Sequence, residues 1–293
     1  MIVRILFMAE AHCPASCGEL LQGWILGGEK LISCPINWYS NVSVTQGKPG
    51  PRERPRMRQM VKQVLAHFDQ SPLLAENICI EFESTIPVAK GLASSTADIA
   101  ATAMATSRLL GQPLSDESLA QLCVALEPTD STIFKDLTLF DHQTAQTQLS
   151  FPWLPDIDIV LLESSQTVLT EEFHQRKRHS LLLKQAPYLV KAMQQFRLAN
   201  ERRCCYTLGE ATTLSAIASE SLLPKPQFYQ LLDIVEHSGI YGLNVAHSGS
   251  VIGLLLNHCQ HDVERLLRML HRKQIIKNYP RMHLVKMVAG GVR

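Results

Sequence analysis

The segment Pro87-Val-Ala-Lys-Gly-Leu-Ala-Ser-Ser-Thr-Ala-Asp98 limits what this chain can fold into more than any other stretch. Ahead of it, Ile78–Glu83 alternates apolar with mixed positions, as a strand does. Behind it, Ser94–Leu110 is rich in alanine (Ala97, Ala100, Ala101, Ala103, Ala105) and is closed by Gly111, with Pro113 just beyond. Alanines carry almost no side-chain volume, so the pattern predicts a buried central helix lying close against a sheet or a neighbouring helix. Between strand and helix stand Pro87, Val88, Ala89, Lys90, Gly91, Leu92 and Ala93, followed by the hydroxyls of Ser94, Ser95 and Thr96. The first N–H groups of a helix lack internal acceptors and lie at the positive end of its dipole, so this is a geometry for holding phosphate. The hydroxyls can bond phosphate oxygens or reach a magnesium ion, which prefers oxygen ligands. A turn at Gly91 with Ser94 merely capping a helix fits the same residues, and Lys90 precedes the glycine, which is not a Walker arrangement.

The rest of the composition narrows the partner. With 28 Lys and Arg against 27 Asp and Glu, the formal charge of +1 supplies no long-range field for nucleic acid or an anionic membrane. A small-molecule substrate is expected, handled by a monomer or homodimer. The eight cysteines contain no pair of CxxC units and read as reduced thiols. The run Met1–Met8 is short and interrupted by Arg4, unlike a signal peptide, and nothing approaches the length of a membrane span. A cytoplasmic protein is expected. At 293 residues, 46% of them hydrophobic, two lobes are expected, 1–150 and 151–293, with a boundary near Phe151–Pro155.

Strands are expected at Ile2–Phe7, Ile36–Thr45, Ile157–Leu162 and Val251–Leu256. Helices are expected at Met57–Phe68, Thr170–Leu183, Pro187–Leu198, Leu208–Ser221, Pro226–Ser238 and Val263–Arg272. Ser115 can cap another, ending near Glu127 because Pro128 disfavours helical geometry at the residue before it. Glu127 and Asp130 then offer two carboxylates three residues apart at a broken helix end, although Asp130 is equally placed as a helix N-cap. Asp98 reads as a dipole partner or buried hydrogen-bonding group. Asp136, Asp141 and His142 can line a cleft, His247 is a lone histidine in a turn, and His258 with His261 lacks a third metal ligand.

The Pro87–Asp98 loop resembles the second motif of the GHMP kinases, Pro-x-x-x-Gly-Leu-Gly-Ser-Ser-Ala, with Ala93 in place of the middle glycine; alanine tolerates positive φ poorly. Cys13-Pro-Ala-Ser-Cys-Gly-Glu-Leu-Leu-Gln-Gly-Trp24 is similar to the first motif, especially that of homoserine kinases, and Asn244–Leu256 resembles the third, with fewer glycines than usual. Three motifs in order cover nearly the whole chain. The resemblance implies an α+β, two-lobed fold: a ribosomal protein S5-like N-terminal lobe binding ATP and a ferredoxin-like C-terminal lobe. It also implies ATP and Mg2+ as cofactors, with Pro87–Thr96 around the phosphates, Ser95 and Glu127 on the metal and Asp130 as base.

The first motif, the Gly91–Asp98 loop, the Glu127–Ser131 segment and the Ala289–Arg293 end look most like the branch acting on L-threonine in cobalamin synthesis. That implies L-threonine O-3-phosphate as product and an acceptor site at Ser16, Glu19, Ser248 and Gly249. Glu19, where homoserine kinases carry Asn, can meet a substrate ammonium; a surface glutamate on a turn is the plain alternative. The other readings are a family kinase for homoserine, mevalonate or a sugar, a non-catalytic sensor on the same scaffold, and an α/β binding protein without phosphate chemistry.

Overall fold

A computed structural model describes residues 8–146, 148–166 and 178–293. The expected strand Ile2–Phe7 lies outside the described residues, as do residues 170–177 of the helix expected from Thr170.

The chain begins with a long hairpin, β1 (Met8–Ile25) and β2 (Gly28–Gln46). Its two-residue turn places Leu26 at φ 50° and Gly27 at φ 80°, the primed geometry whose twist matches that of the flanking strands. Register shifts at Pro14/Ala15, Ser16/Glu19 and Glu19/Leu21 bend β1 through the first motif. There follow α1 (Pro55–His67), β3 (Ile78–Ser84), α2 (Ser94–Leu109), α3 (Asp116–Leu126), β4 (Leu137–Phe140), β5 (Gln148–Phe151) and β6 (Asp158–Glu163). Then come α4 (His179–Arg202), α5 (Cys205–Ser219), α6 (Phe228–Ser238), β7 (Gly242–Val245), β8 (Ile252–Leu256), α7 (Val263–Arg272) and β9 (Arg281–Lys286).

The nine strands among the described residues join one sheet in the order β5-β4-β2-β1-β7-β8-β6-β9, with β3 also on β2. The run β7-β8-β6-β9, with helical connections from β6 to β7 and from β8 to β9, is the antiparallel ferredoxin-like pattern. The two halves meet where Glu19 of β1 pairs with Val245 of β7.

The alanine-rich α2 is buried on nearly every side, against β1, β2, α1 and α3. Its interior hydroxyls bond back along the helix, Thr102 Oγ1 to the Asp98 carbonyl and Thr106 Oγ1 to the Thr102 carbonyl, both at 2.7 Å, so these two donors are satisfied inside the helix. The capped start at Ser115 is present, its Oγ accepting from the Ser118 N–H at 3.1 Å, and α3 ends at Leu126, ahead of Pro128.

Two expectations change. The helix break at Pro187 does not occur: α4 runs through it from His179 to Arg202. Leu182, Leu189, Met193 and Phe196 keep one buried stripe across the proline, and their burial outweighs the hydrogen bond it removes. The plain alternative for Glu19, a surface glutamate on a turn, does not hold: Glu19 is buried in the bulged body of β1.

Candidate active site

Three separate stretches meet at the start of α2 through backbone hydrogen bonds. The Leu92 carbonyl accepts from the Ser16 N–H at 3.1 Å, and the Lys90 carbonyl accepts from the N–H groups of Ser250 and Val251 at 3.0 and 3.3 Å. Gly91 (φ 81°) and Gly249 lie backbone to backbone: a Cβ on Gly249 would come within 2.2 Å of the Gly91 Cα. Only glycine permits that approach. Ala93 nonetheless takes a left-handed conformation (φ 58°, ψ 27°) as the residue before the helix, and Ala89 does so too (φ 59°). Alanine pays about 1–2 kcal/mol for this.

Above the helix start opens a cleft of about 970 Å³. It is lined by Val88, Ala89, Gly91, Leu92, Ala93, Ser94, Ser95 and Thr96, by Arg54, Arg56 and Met57 at the start of α1, and by Glu127 and Asp130. Glu19, His142, His247 and Ser248 are also on its lining. The first intrahelical bond runs from the Ala97 N–H to the Ala93 carbonyl, so the amides of Ser94, Ser95 and Thr96 have no acceptor within α2 and suit an anion.

Asp130 sits at the N-cap position of the short 3-10 turn Ser131–Ile133, yet its side chain makes no capping bond. It accepts instead from Thr96 Oγ1 at 3.2 Å, while its own N–H donates back to that oxygen at 3.3 Å. Next to it, Ser33 and Ser131 exchange hydrogen bonds, each N–H to the other's Oγ, at 2.9 and 3.0 Å. These reciprocal pairs tie Asp130 both to the start of α2 and to β2. Burial pushes the Asp130 carboxyl up, opposed by the Thr96 hydrogen bond and the charge of His247.

Glu19 lies at the floor of the cleft, 3% exposed, and its Oε2 is buried without a hydrogen-bond partner. Burial raises its carboxyl well above the usual range and the Asp130 charge raises it further, against hydrogen bonds from Ser33 and the His247 backbone. A buried carboxyl oxygen without a partner costs free energy, and a donor entering the cleft would relieve it.

Glu127 pairs with Arg56 through Oε2, leaving Oε1 outside that pair. Glu127 and Ser95 both line the cleft and offer oxygen atoms, the ligand type that magnesium takes. Asp98 is the buried hydrogen-bonding group expected, receiving Ser40 Oγ at 2.5 Å and paired with Arg54.

Not every candidate reaches the cleft wall. Ser16 is 1% exposed and acts inside β1–β2, its Oγ donating to the Gly18 carbonyl at 2.6 Å and accepting from the Cys34 N–H at 3.1 Å. Gly249 is a packing contact beneath the loop, and Lys90 Nζ donates to the Ser164 and Gln166 carbonyls at 2.8 and 3.0 Å. Asp136 and Asp141 stay off the lining, whereas His142 is on it. Glu29 and Arg178 escaped the sequence reading: Glu29 accepts from His247 Nε2 at 2.9 Å and pairs with Arg178. Burial pushes the Glu29 carboxyl up, but the His247 hydrogen bond and the charges of His247, Arg178 and His142 bring it down to about 2. No local motif flags this cluster, because its members lie far apart in the chain.

A helix start with open amides and two carboxylates on one cleft suits an anion beside a proton acceptor, the parts that phosphoryl transfer asks of a protein. The description "GHMP kinases N terminal domain" matches residues 57–135, and the chain belongs to the GHMP kinase family. It is 53% identical to the L-threonine kinase of Citrobacter freundii over 285 residues, covering 97% of this chain and 99% of that one. It is 52% identical over 286 residues to the L-threonine kinase of Salmonella typhimurium (strain LT2), covering 98% and 95%. The crystal structure of homoserine kinase from Cytophaga hutchinsonii superposes with a TM-score of 0.69 at 15% identity, covering 100% of this chain and 99% of that one, a likeness of fold.

Proposed function

We propose that this kinase transfers the γ-phosphoryl group of ATP to the side-chain hydroxyl of L-threonine, giving L-threonine O-3-phosphate and ADP for the aminopropanol linker of cobalamin, in the cytoplasm. Residues 1–150 form the ATP-binding lobe and 151–293 the second lobe. The amides and hydroxyls from Gly91 to Thr96 hold the phosphates, and Ser95 with Glu127 would hold Mg2+, which neutralises the developing charge when bound. Asp130 accepts the proton of the attacking hydroxyl as the bond from that oxygen to phosphorus forms and the bridging oxygen leaves with ADP.

The observation that carries the acceptor class is the buried, unpartnered Oε2 of Glu19 beside Asp130. An ammonium meets Glu19 while a hydroxyl on the same molecule meets Asp130. Threonine carries its hydroxyl one carbon nearer the ammonium than homoserine does. Two carboxylates, one on β1 and one ahead of the Ser131–Ile133 turn, therefore distinguish the isomers by reach, where a pocket judging size alone would separate them weakly.

The test is a coupled ADP-release assay with L-threonine, L-serine and L-homoserine in parallel, and phosphorus NMR of the product. Threonine is expected to give the highest kcat/KM; equal or better turnover of homoserine would sink the assignment.

A further inference from the structure

Serine and threonine carry the same ammonium, carboxylate and hydroxyl, so Glu19 and Asp130 by themselves do not tell them apart. The difference is one methyl group on the carbon that bears the hydroxyl. To favour it, the cleft needs an apolar surface beside the two carboxylates.

Among the described residues of the lining, Glu19 and Leu31 are those that stand on strands. Leu31 is 2% exposed and lies on β2 two residues from Ser33, so both side chains project from the same face of the strand. Ser33 links the two carboxylates. It lies opposite Glu19 in the β1–β2 pairing, its side chain hydrogen-bonds Glu19, and it exchanges hydrogen bonds with Ser131, the neighbour of Asp130. Two residues along a strand span about 7 Å, which sets the Leu31 side chain beside the gap between Glu19 and Asp130. Leu31 is also opposite Phe140 in the β2–β4 pairing, and Phe140 is buried against Phe134, ring centroids 5.0 Å apart. Backed by that ring pair, the leucine is held in place at the cleft floor.

We propose that Leu31 is a specificity-determining residue that reads the acceptor's methyl group; this rests on the reading of the acceptor as L-threonine. With the ammonium on Glu19 and the hydroxyl toward Asp130, the methyl on the hydroxyl-bearing carbon lies against the Leu31 side chain. Apolar surface of both leaves water there. A hydrogen in place of the methyl leaves the space unfilled, and an ethyl group overfills it. One carbon in such a site is worth about 10- to 200-fold in kcat/KM.

The experiment measures kcat/KM for L-serine, L-threonine and L-threo-β-hydroxynorvaline, which carry hydrogen, methyl and ethyl at the same position, on the wild type and on Leu31→Ala, Leu31→Val and Leu31→Met. The wild type is expected to prefer threonine over both others by about 10-fold or more. Leu31→Ala opens room for the longer group, so its ratio of hydroxynorvaline over threonine is expected to rise about 10-fold or more, and its ratio of threonine over serine to fall. Leu31→Val moves both ratios the same way by less. Leu31→Met, close in volume to leucine, keeps the wild-type order.

A gain on the ethyl acceptor separates a lost contact from general damage, which lowers all three acceptors together. Equal losses on all three in Leu31→Ala, or an unchanged order, would overturn the proposal. So would a wild type that phosphorylates serine as well as threonine. If Leu31→Ala does not fold, the two ratios in Leu31→Val decide. A wild type that phosphorylates none of the three is a different result and overturns the acceptor assignment itself.

Discussion

At the scale of single residues, the cleft sets functional demands against stability. Asp130→Asn preserves shape and the Thr96 contact but removes the proton acceptor, so kcat is expected to fall about 10²- to 10⁴-fold with the circular dichroism spectrum unchanged. Burial raises both Asp130 and Glu19, and a base works only when ionised. Turnover should therefore rise with pH along a limb displaced above the ordinary carboxylate range, and the Asn variant should lose that limb. Glu19 carries the opposite trade. Its raised carboxyl means that the folded chain pays to keep it charged at neutral pH, so Glu19→Gln is expected to raise the melting temperature while raising the threonine KM by tenfold or more, on the order of 1–3 kcal/mol of lost contact. Ala93 shows that a family glycine can be replaced at the cost of a left-handed alanine. Ala93→Gly should relieve that strain against a gain in unfolded-state freedom, leaving stability about 0–1 kcal/mol higher by chemical denaturation.

At the scale of elements, α4 and α2 show opposite relations between local code and outcome. Pro187 carries a local instruction to stop, and α4 ignores it because Leu182, Leu189, Met193 and Phe196 are buried along one continuous stripe. Pro187→Ala is expected to stabilise the protein by about 1–3 kcal/mol in urea titration, since the missing N–H bond and the ring clash are both repaired. In α2 the code and the outcome agree. Small side chains, a glycine stop and hydroxyls at the start all favour one buried helix with an open N-terminus, and that helix is there. The strand β1 was hidden for a physical reason: from Cys13 on it is buried on both faces and broken by three register shifts, so that part lacks the alternation that marks a strand in sequence.

At the scale of the whole molecule, one sheet couples both halves, so ionisable groups buried anywhere bear on global unfolding. Burial lowers Lys225 to about 7, against the charge of Glu220. The unfolded lysine keeps its proton up to its ordinary pKa, so the unfolded chain binds more protons between those values and stability rises with pH from about 7 upward. Buried Cys13, Cys17, Cys34 and Cys123 act in the other direction. Burial raises each thiol far above the model-peptide value of 9.0, so the unfolded state alone loses these protons and stability falls once pH passes 9.0. Urea midpoints measured from pH 7 upward under reducing conditions should climb and then decline, with Lys225→Met flattening the climb; a monotonic fall from pH 7 would contradict this balance.

What the sequence determined by itself is local: the anion-binding start of α2, the capped α3 ending ahead of Pro128, and the candidacy of Glu19, Glu127 and Asp130. The first two follow from backbone rules that act within a few residues, and the three carboxylates were singled out by the resemblance to a kinase family. Only the tertiary structure decided which candidates share a cleft. It withdrew Ser16 into the hairpin and Gly249 beneath the loop, and it brought Glu29, Arg178 and His247 together across more than two hundred residues of chain. Such meetings depend on strand register and on the order of strands in the sheet, and no short stretch of amino acids carries that information.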